Sequence, residues 1–157
     1  MTDEEQTAYH QFRSTIDPTS FSNLPYVRRI EKPWGWEIHF VPESLPYMGK
    51  LIHINAGKRV SLQAHDGKQE SWLKLSGDAR LILENPTGSL DEIAMEDGKG
   101  YSLALGQVHR LIAGETDAEF LEVSTPEKGT TFHIEDDYNR PSETEELRAK
   151  RNRDGKN

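Results

Sequence analysis

The sequence contains no cysteine. Disulfides, thiolate metal sites and cysteine nucleophiles are therefore excluded. Apolar residues are also few, at 34%, and no run approaches the ~18 apolar residues that a membrane-spanning helix needs. The opening residues, MTDEEQTAYHQF, offer neither a basic n-region nor an apolar h-region. No secretory signal is expected, and the cytoplasm is the default location. Positive charge is scarce: 19 Lys and Arg stand against 27 Asp and Glu, giving a net charge of −8 and a pI near 5.2. Such a chain has no electrostatic reason to seek nucleic acid or an anionic membrane, although a local basic pocket could still hold a phosphate.

What is present points to one domain, since 157 residues suffice to bury a proper core. Residues 1–26 are polar, with turn-formers at Asp17-Pro18 and Pro25 and aromatics at Tyr9, Phe12 and Phe21. They read either as a disordered leader or as an N-terminal arm packing on the body or on a second subunit. Residues 27–140 read as about ten short strands separated by Gly, Pro, Asp or Asn, which argues an all-β antiparallel sandwich or barrel. Within them Trp36, Ile38 and Phe40 alternate with Glu37 and His39, and Lys50 shares a face with Ile52 and Ile54. Residues 141–157 hold the one clear helix signal. Ser142-x-x-Glu145 reads as a capping box, with acids in the first turn and Lys/Arg in the last. That helix has no wide apolar face, so it is expected to project or fray, and the basic tail RAKRNRDGKN to be solvated.

Four residues carry the chemistry. In SLQAHDGKQESW, Gln63 and His65 stand two apart, so a strand projects them to one face. A turn at Asp66-Gly67 would fold the chain back so that Glu70 can face them. His109, 39 residues past Glu70, comes from another strand. Two imidazoles, a carboxylate and an amide oxygen suit a divalent transition metal (Zn, Mn, Fe, Co or Ni) better than Mg or Ca. The same residues could instead line a polar pocket. His10, His39, His53 and His133 read as structural or surface groups. Trp34 and Trp72 read as barrel packing, and Arg110 as pointing away from the metal.

The flanking residues resemble a known family. Gly57, His65, Glu70 and Gly77, followed by Gly106 to His109, look like the two motifs of the cupin superfamily. KPWG (32–35), GKRVSLQAHDGKQESWLKLSG (57–77), GQVHRL (106–111) and EDDYNR (135–140) resemble the type II phosphomannose isomerases and the isomerase domain of mannose-1-phosphate guanylyltransferases. The resemblance implies a cupin double-stranded β-helix, a jelly-roll barrel with an N-terminal arm and a short C-terminal helix. It implies Gln63, His65, Glu70 and His109 as metal ligands, and a sugar or sugar phosphate as substrate. The implied reaction is an aldose–ketose isomerisation of the mannose-6-phosphate kind through an enediolate. Another cupin enzyme (a different sugar isomerase or epimerase, or an iron-dependent dioxygenase) and a non-catalytic sugar- or metal-binding module are the alternatives.

The chain departs from the family pattern beside the metal, where Lys68 replaces an arginine and loses its bidentate fork while keeping the charge. Lys68 and Lys50 are the candidates for neutralising a phosphate or oxyanion, with a strand-end lysine in solvent as the plain reading of Lys50. Lys74, on the face of Glu70 and Trp72, either enters the pocket or turns outward with its strand. Fold analogy adds a homodimer, since cupin barrels leave sheet edges that a partner or an arm can cover.

Overall fold

The computed structural model describes residues 1–22 and 24–154. Among them are eleven strands: β1 (Arg28–Lys32), β2 (Gly35–His39), β3 (Met48–Ile54), β4 (Leu62–Gly67), β5 (Glu70–Ser76), β6 (Ala79–Glu84), β7 (Leu90–Ala94), β8 (Gly100–Leu103), β9 (His109–Ala113), β10 (Ala118–Ser124) and β11 (Lys128–Glu135). All pairings are antiparallel, in a six-stranded sheet ordered β1-β2-β3-β10-β5-β8 and a five-stranded sheet ordered β11-β4-β9-β6-β7. The core fills the space between them, where Ile54, Leu81, Leu111 and Phe120 are essentially inaccessible. The expected all-β jelly roll is what the chain forms.

Two glycines let neighbouring strands of the six-stranded sheet approach closely at their ends. A Cβ on Gly35 would overlap the carbonyl of His53, and one on Gly77, which has φ +91°, would overlap that of Asp117. Any side chain there would push neighbouring strands apart.

The turn between the first three candidate ligands lies elsewhere than expected. Asp66 and Gly67 belong to β4, where Gly67 pairs with Lys128 and a Cβ would meet the Lys128 carbonyl at 2.6 Å. Asp66 Oδ1 accepts from the Thr130 N–H at 2.6 Å. The chain turns at Lys68 and Gln69 and changes sheets as it does so, since β4 is in one sheet and β5 in the other. Glu70 therefore meets His65 across the barrel interior.

Strand β2 turns inward the face that its sequence would give to solvent. Glu37 and His39 are buried, and Trp36 and Ile38 lie on the outer side. Across the outer face of the six-stranded sheet, Ile38, Leu51, Leu121 and Leu73 form one registered row.

Both ends are helical. At the N-terminus α1 (Asp3–Ser14) is closed by a capping box, Thr2 Oγ1 accepting from the Glu5 N–H and Glu5 Oε2 from the Thr2 N–H. None of its residues is buried, so within this chain the N-terminal arm is an exposed helix. The C-terminal helix α2 (Glu145–Asp154) corrects two expectations. Its cap is Thr144, whose Oγ1 accepts from the Leu147 N–H at 3.3 Å, while Ser142 Oγ accepts from the His133 N–H and Glu145 Oε1 from the Gly129 N–H. Nor does it project: Arg148 is buried, and its guanidinium donates to the carbonyls of Glu127 and Gly129. A helix without an apolar face docks here through arginine, whose donors satisfy loop carbonyls. The tail residues 155–157 lie outside the described residues.

Candidate metal centre and its cavity

Strand pairing assembles the ligand set. Gln63 and His65 project from β4, and His109 lies directly opposite Gln63 on β9. Glu70 enters from β5 in the other sheet. Glu70 Oε1 stands 3.0 Å from His109 Nε2 and 3.2 Å from His65 Nε2. The ligand atoms of these three buried residues all lie within 4.8 Å of one another. The Gln63 amide is 3.2 Å from His109 Nε2 and 3.5 Å from His65 Nε2, and its Oε1 accepts from Ser61 Oγ. Rotating that amide about its last bond presents the oxygen to the same point.

Hydrogen bonds behind the rings aim them. His109 Nδ1 is 2.8 Å from the Gln107 carbonyl, which can only accept, so the proton sits on Nδ1 and the Nε2 lone pair faces Glu70. His65 Nδ1 is 3.0 Å from Thr131 Oγ1, its neighbour across β4 and β11. The His109 lone pair, the His65 Nε2 and a carboxylate oxygen thus converge on one point. A cation resolves that repulsion, and the donor set fits a divalent transition metal. Burial lowers the His65 pKa, which favours the neutral, ligating ring. Burial alone would raise Glu70, but the Lys68 ammonium beside it holds its carboxyl well below the usual range.

The site opens on a cavity of about 360 Å³ lined by residues of both sheets and of α2. Lys50 and Lys68 line it, as the sequence placed them, but both are engaged by carboxylates. Lys68 Nζ lies 2.5 Å from Glu70 Oε2 and 2.7 Å from Glu122 Oε1. Lys50 Nζ is paired with Glu127 Oε1 and lies 3.7 Å from Glu122 and 3.9 Å from Glu37. The outcome is an alternating file of charges: Glu70, Lys68, Glu122, Lys50, Glu127. Burial would discharge both lysines, yet the carboxylates around them raise their pKa values above the usual, well above for Lys50. Burial likewise opposes the ionisation of Glu127, and Lys50 and Lys68 overcome it, holding that carboxyl low.

Glu37, Glu122, Glu127 and His133 all line the cavity and were missed by sequence reasoning. For Glu122 a signal existed, because it continues the inward period of Ala118 and Phe120. For His133 none did: it is opposite Gln63 only through the β4–β11 pairing. His39, by contrast, is a buried structural group bonded to Glu37 at 3.0 Å, and His53 stacks on Trp36 at the outer surface. Trp34 and Trp72 pack in the core and also line the cavity, with Trp72 edge-on to His109. Lys74 is buried but turns to Asp97, at 2.7 Å, and does not line the cavity. Arg110 points away from the metal centre, to the Val60 carbonyl and Glu135.

Residues 22–142 match the family described as mannose-6-phosphate isomerase C-terminal. Curated relatives include the alginate biosynthesis protein AlgA of Pseudomonas aeruginosa, 28% identical over 118 residues that cover 73% of this chain and 23% of that one. Another is the mannose-1-phosphate guanylyltransferase 2 of Escherichia coli O157:H7, 30% identical over 79 residues, 48% of this chain and 16% of that one. The chain spans less than a quarter of the length of these relatives. Among solved structures, the oxalate decarboxylase of Lactobacillus farciminis superposes with a TM-score of 0.62 at 21% identity, over 73% of this chain and 37% of that one. The capsular polysaccharide assembling protein CapF of Staphylococcus aureus does so with 0.56 at 16%, over 91% and 38%. These structural likenesses establish the cupin fold, and the family match over most of the chain establishes its lineage: the chain belongs to the mannose-6-phosphate isomerase C-terminal family.

Proposed function

We propose that the chain is a metal-dependent aldose–ketose isomerase of a phosphorylated sugar, interconverting mannose 6-phosphate and fructose 6-phosphate. The observation that carries this reading is the meeting, in one cavity, of a mixed N/O ligand set with a buried file of carboxylates and ammonium groups. Family membership supports it. A cavity of about 360 Å³ is of the size that takes one small polar ligand.

Gln63, His65, Glu70 and His109 would hold Zn, Mn, Fe, Co or Ni, which as a Lewis acid would polarise the adjacent sugar oxygens. The reaction moves one proton between neighbouring carbons and one between their oxygens. Glu122, whose carboxylate lies beside Lys68, takes the carbon-bound proton and returns it to the neighbouring carbon. Lys68 and Lys50, kept as ammonium groups, neutralise the oxyanion that develops meanwhile. Within the same reading the enzyme is a cytoplasmic homodimer. The outer row of Ile38, Leu51, Leu121 and Leu73 is open to a second copy.

Protein purified without chelator is expected to carry bound divalent metal and to turn over mannose 6-phosphate but not mannose. Substitutions H109A and E70Q should lose both metal and turnover, whereas E122Q should keep the metal and lose turnover. Metal-loaded wild type that isomerises no phosphorylated aldose, yet consumes oxygen with another substrate, would sink the isomerase.

A further inference from the structure

We propose that α2 completes the cavity, and that its Arg151 together with Lys32 forms a subsite at the mouth for the phosphate end of the ligand. The identity of the ligand as a sugar phosphate rests on the isomerase reading; the anionic subsite stands on the following geometry.

The deep lysines are poor phosphate ligands. Lys68 is already shared by two carboxylates within 2.7 Å, and Lys50 is ringed by three. The cations at the mouth are less satisfied. Lys32 lines the cavity with its side chain only 13% exposed, and its nearest carboxylate oxygen, Glu37 Oε1, is 3.6 Å away. Among the described residues its ammonium has no hydrogen bond. Arg151 lines the same cavity from α2. Its Nη1 donates to Glu143, while its Nη2 is buried without a hydrogen-bond partner, 3.8 Å from Glu127 Oε2. Burial lowers the Lys32 pKa, Glu37 opposes it and the charge of Arg151 adds to it, so an anion at this mouth would restore the ammonium.

Two such cations lining one cavity form a receptor for a doubly charged anion, and the guanidinium fork matches two phosphate oxygens. Glu143 occupies that fork as a resident competitor. Helix α2 begins beyond residue 142, where the family match ends.

Titration calorimetry with inorganic phosphate as the probe, on the full chain, tests the subsite without requiring turnover. Wild type should bind phosphate, with affinity falling as salt rises. Substitutions R151Q and K32Q should each weaken it by about tenfold, the loss of one charge-assisted bond. E143Q should tighten it several-fold, because the competing carboxylate is gone. A merely structural Arg151–Glu143 pair would be broken equally from either side, so equal weakening in R151Q and E143Q overturns the proposal. So does unchanged affinity in R151Q, or wild type without saturable phosphate binding. Arg151-dependent phosphate binding in a protein that isomerises nothing would uphold the subsite and reject the isomerase.

Discussion

The two ends of the barrel interior are built from the same strands and have opposite chemistry. Along β3 the inward positions run Lys50, Ile52, Ile54; along β10, Glu122, Phe120, Ala118; along β9, His109, Leu111, Ala113. Register stacks them in layers: Lys50 beside Glu122, Ile52 beside Phe120, Ile54 beside Ala118. One end is a dry apolar plug and the other a buried electrolyte, with Ile52 and Leu111 at the boundary and also lining the cavity. The apolar end gains free energy by leaving water; the polar end does so only while every charge keeps its partner. Stability should therefore reside in the plug, and chemistry in the layer it supports.

That division can be broken from either side. Phe120→Ala empties the centre of the plug and should cost about 3–5 kcal/mol, read as a lowered denaturant midpoint, with metal affinity in the surviving folded protein little changed. A smaller loss in stability together with loss of metal would contradict the division.

Lys50→Met attacks the polar end and should cost about 3 kcal/mol, because it strands Glu122, Glu127 and Glu37 without their shared cation. Its pH dependence sharpens the point. In wild type the raised Lys50 pKa gives stability that is present below the unfolded value and lost only as pH rises through the folded one. The lowered Glu127 pKa gives stability that is present above its unfolded value and lost as pH falls. Melting temperature should accordingly be flat between roughly pH 7 and 9, while below that the lowered His65 pKa adds a loss of stability common to wild type and variant. In the variant, protonation relieves the stranded carboxylates, so its stability relative to wild type should rise as pH falls from 7 toward 5. A flat difference would show that Lys68 alone suffices.

Thr144→Ala should have the smallest effect. Losing the α2 cap costs about 1 kcal/mol, seen as faster amide exchange in α2 without a shift of the plug. Ser142→Ala, at the position that reads as the cap in sequence, should leave α2 exchange unchanged.

Much of this was legible in the chain. Period-two strands and frequent turns are local properties, so the all-β barrel could be read from them, and the spacing of Gln63 and His65 put those two on one face. The glycines at 57, 77 and 106 and the KPWG run pointed to the family. Local patterns failed where pairing partners are distant in sequence. The inward turn of Glu37 and His39 has meaning only because Lys50 and Lys32 lie beside them. The docking of α2 depends on loop carbonyls at Glu127 and Gly129 that accept from Arg148, and no helical periodicity announces that.

The sequence by itself determined the strands and the absence of thiol chemistry from residue type and short-range pattern, and it named the four candidate ligands through motifs that resemble the family. Only the tertiary structure decided that Glu70 meets the histidines from the opposite sheet, that the lysines are locked by carboxylates, and that a helix without an apolar face lines the cavity mouth. Those outcomes are set by the crossing from β4 to β5 and by pairings between residues tens of positions apart, where electrostatic satisfaction across the barrel outweighs local preference.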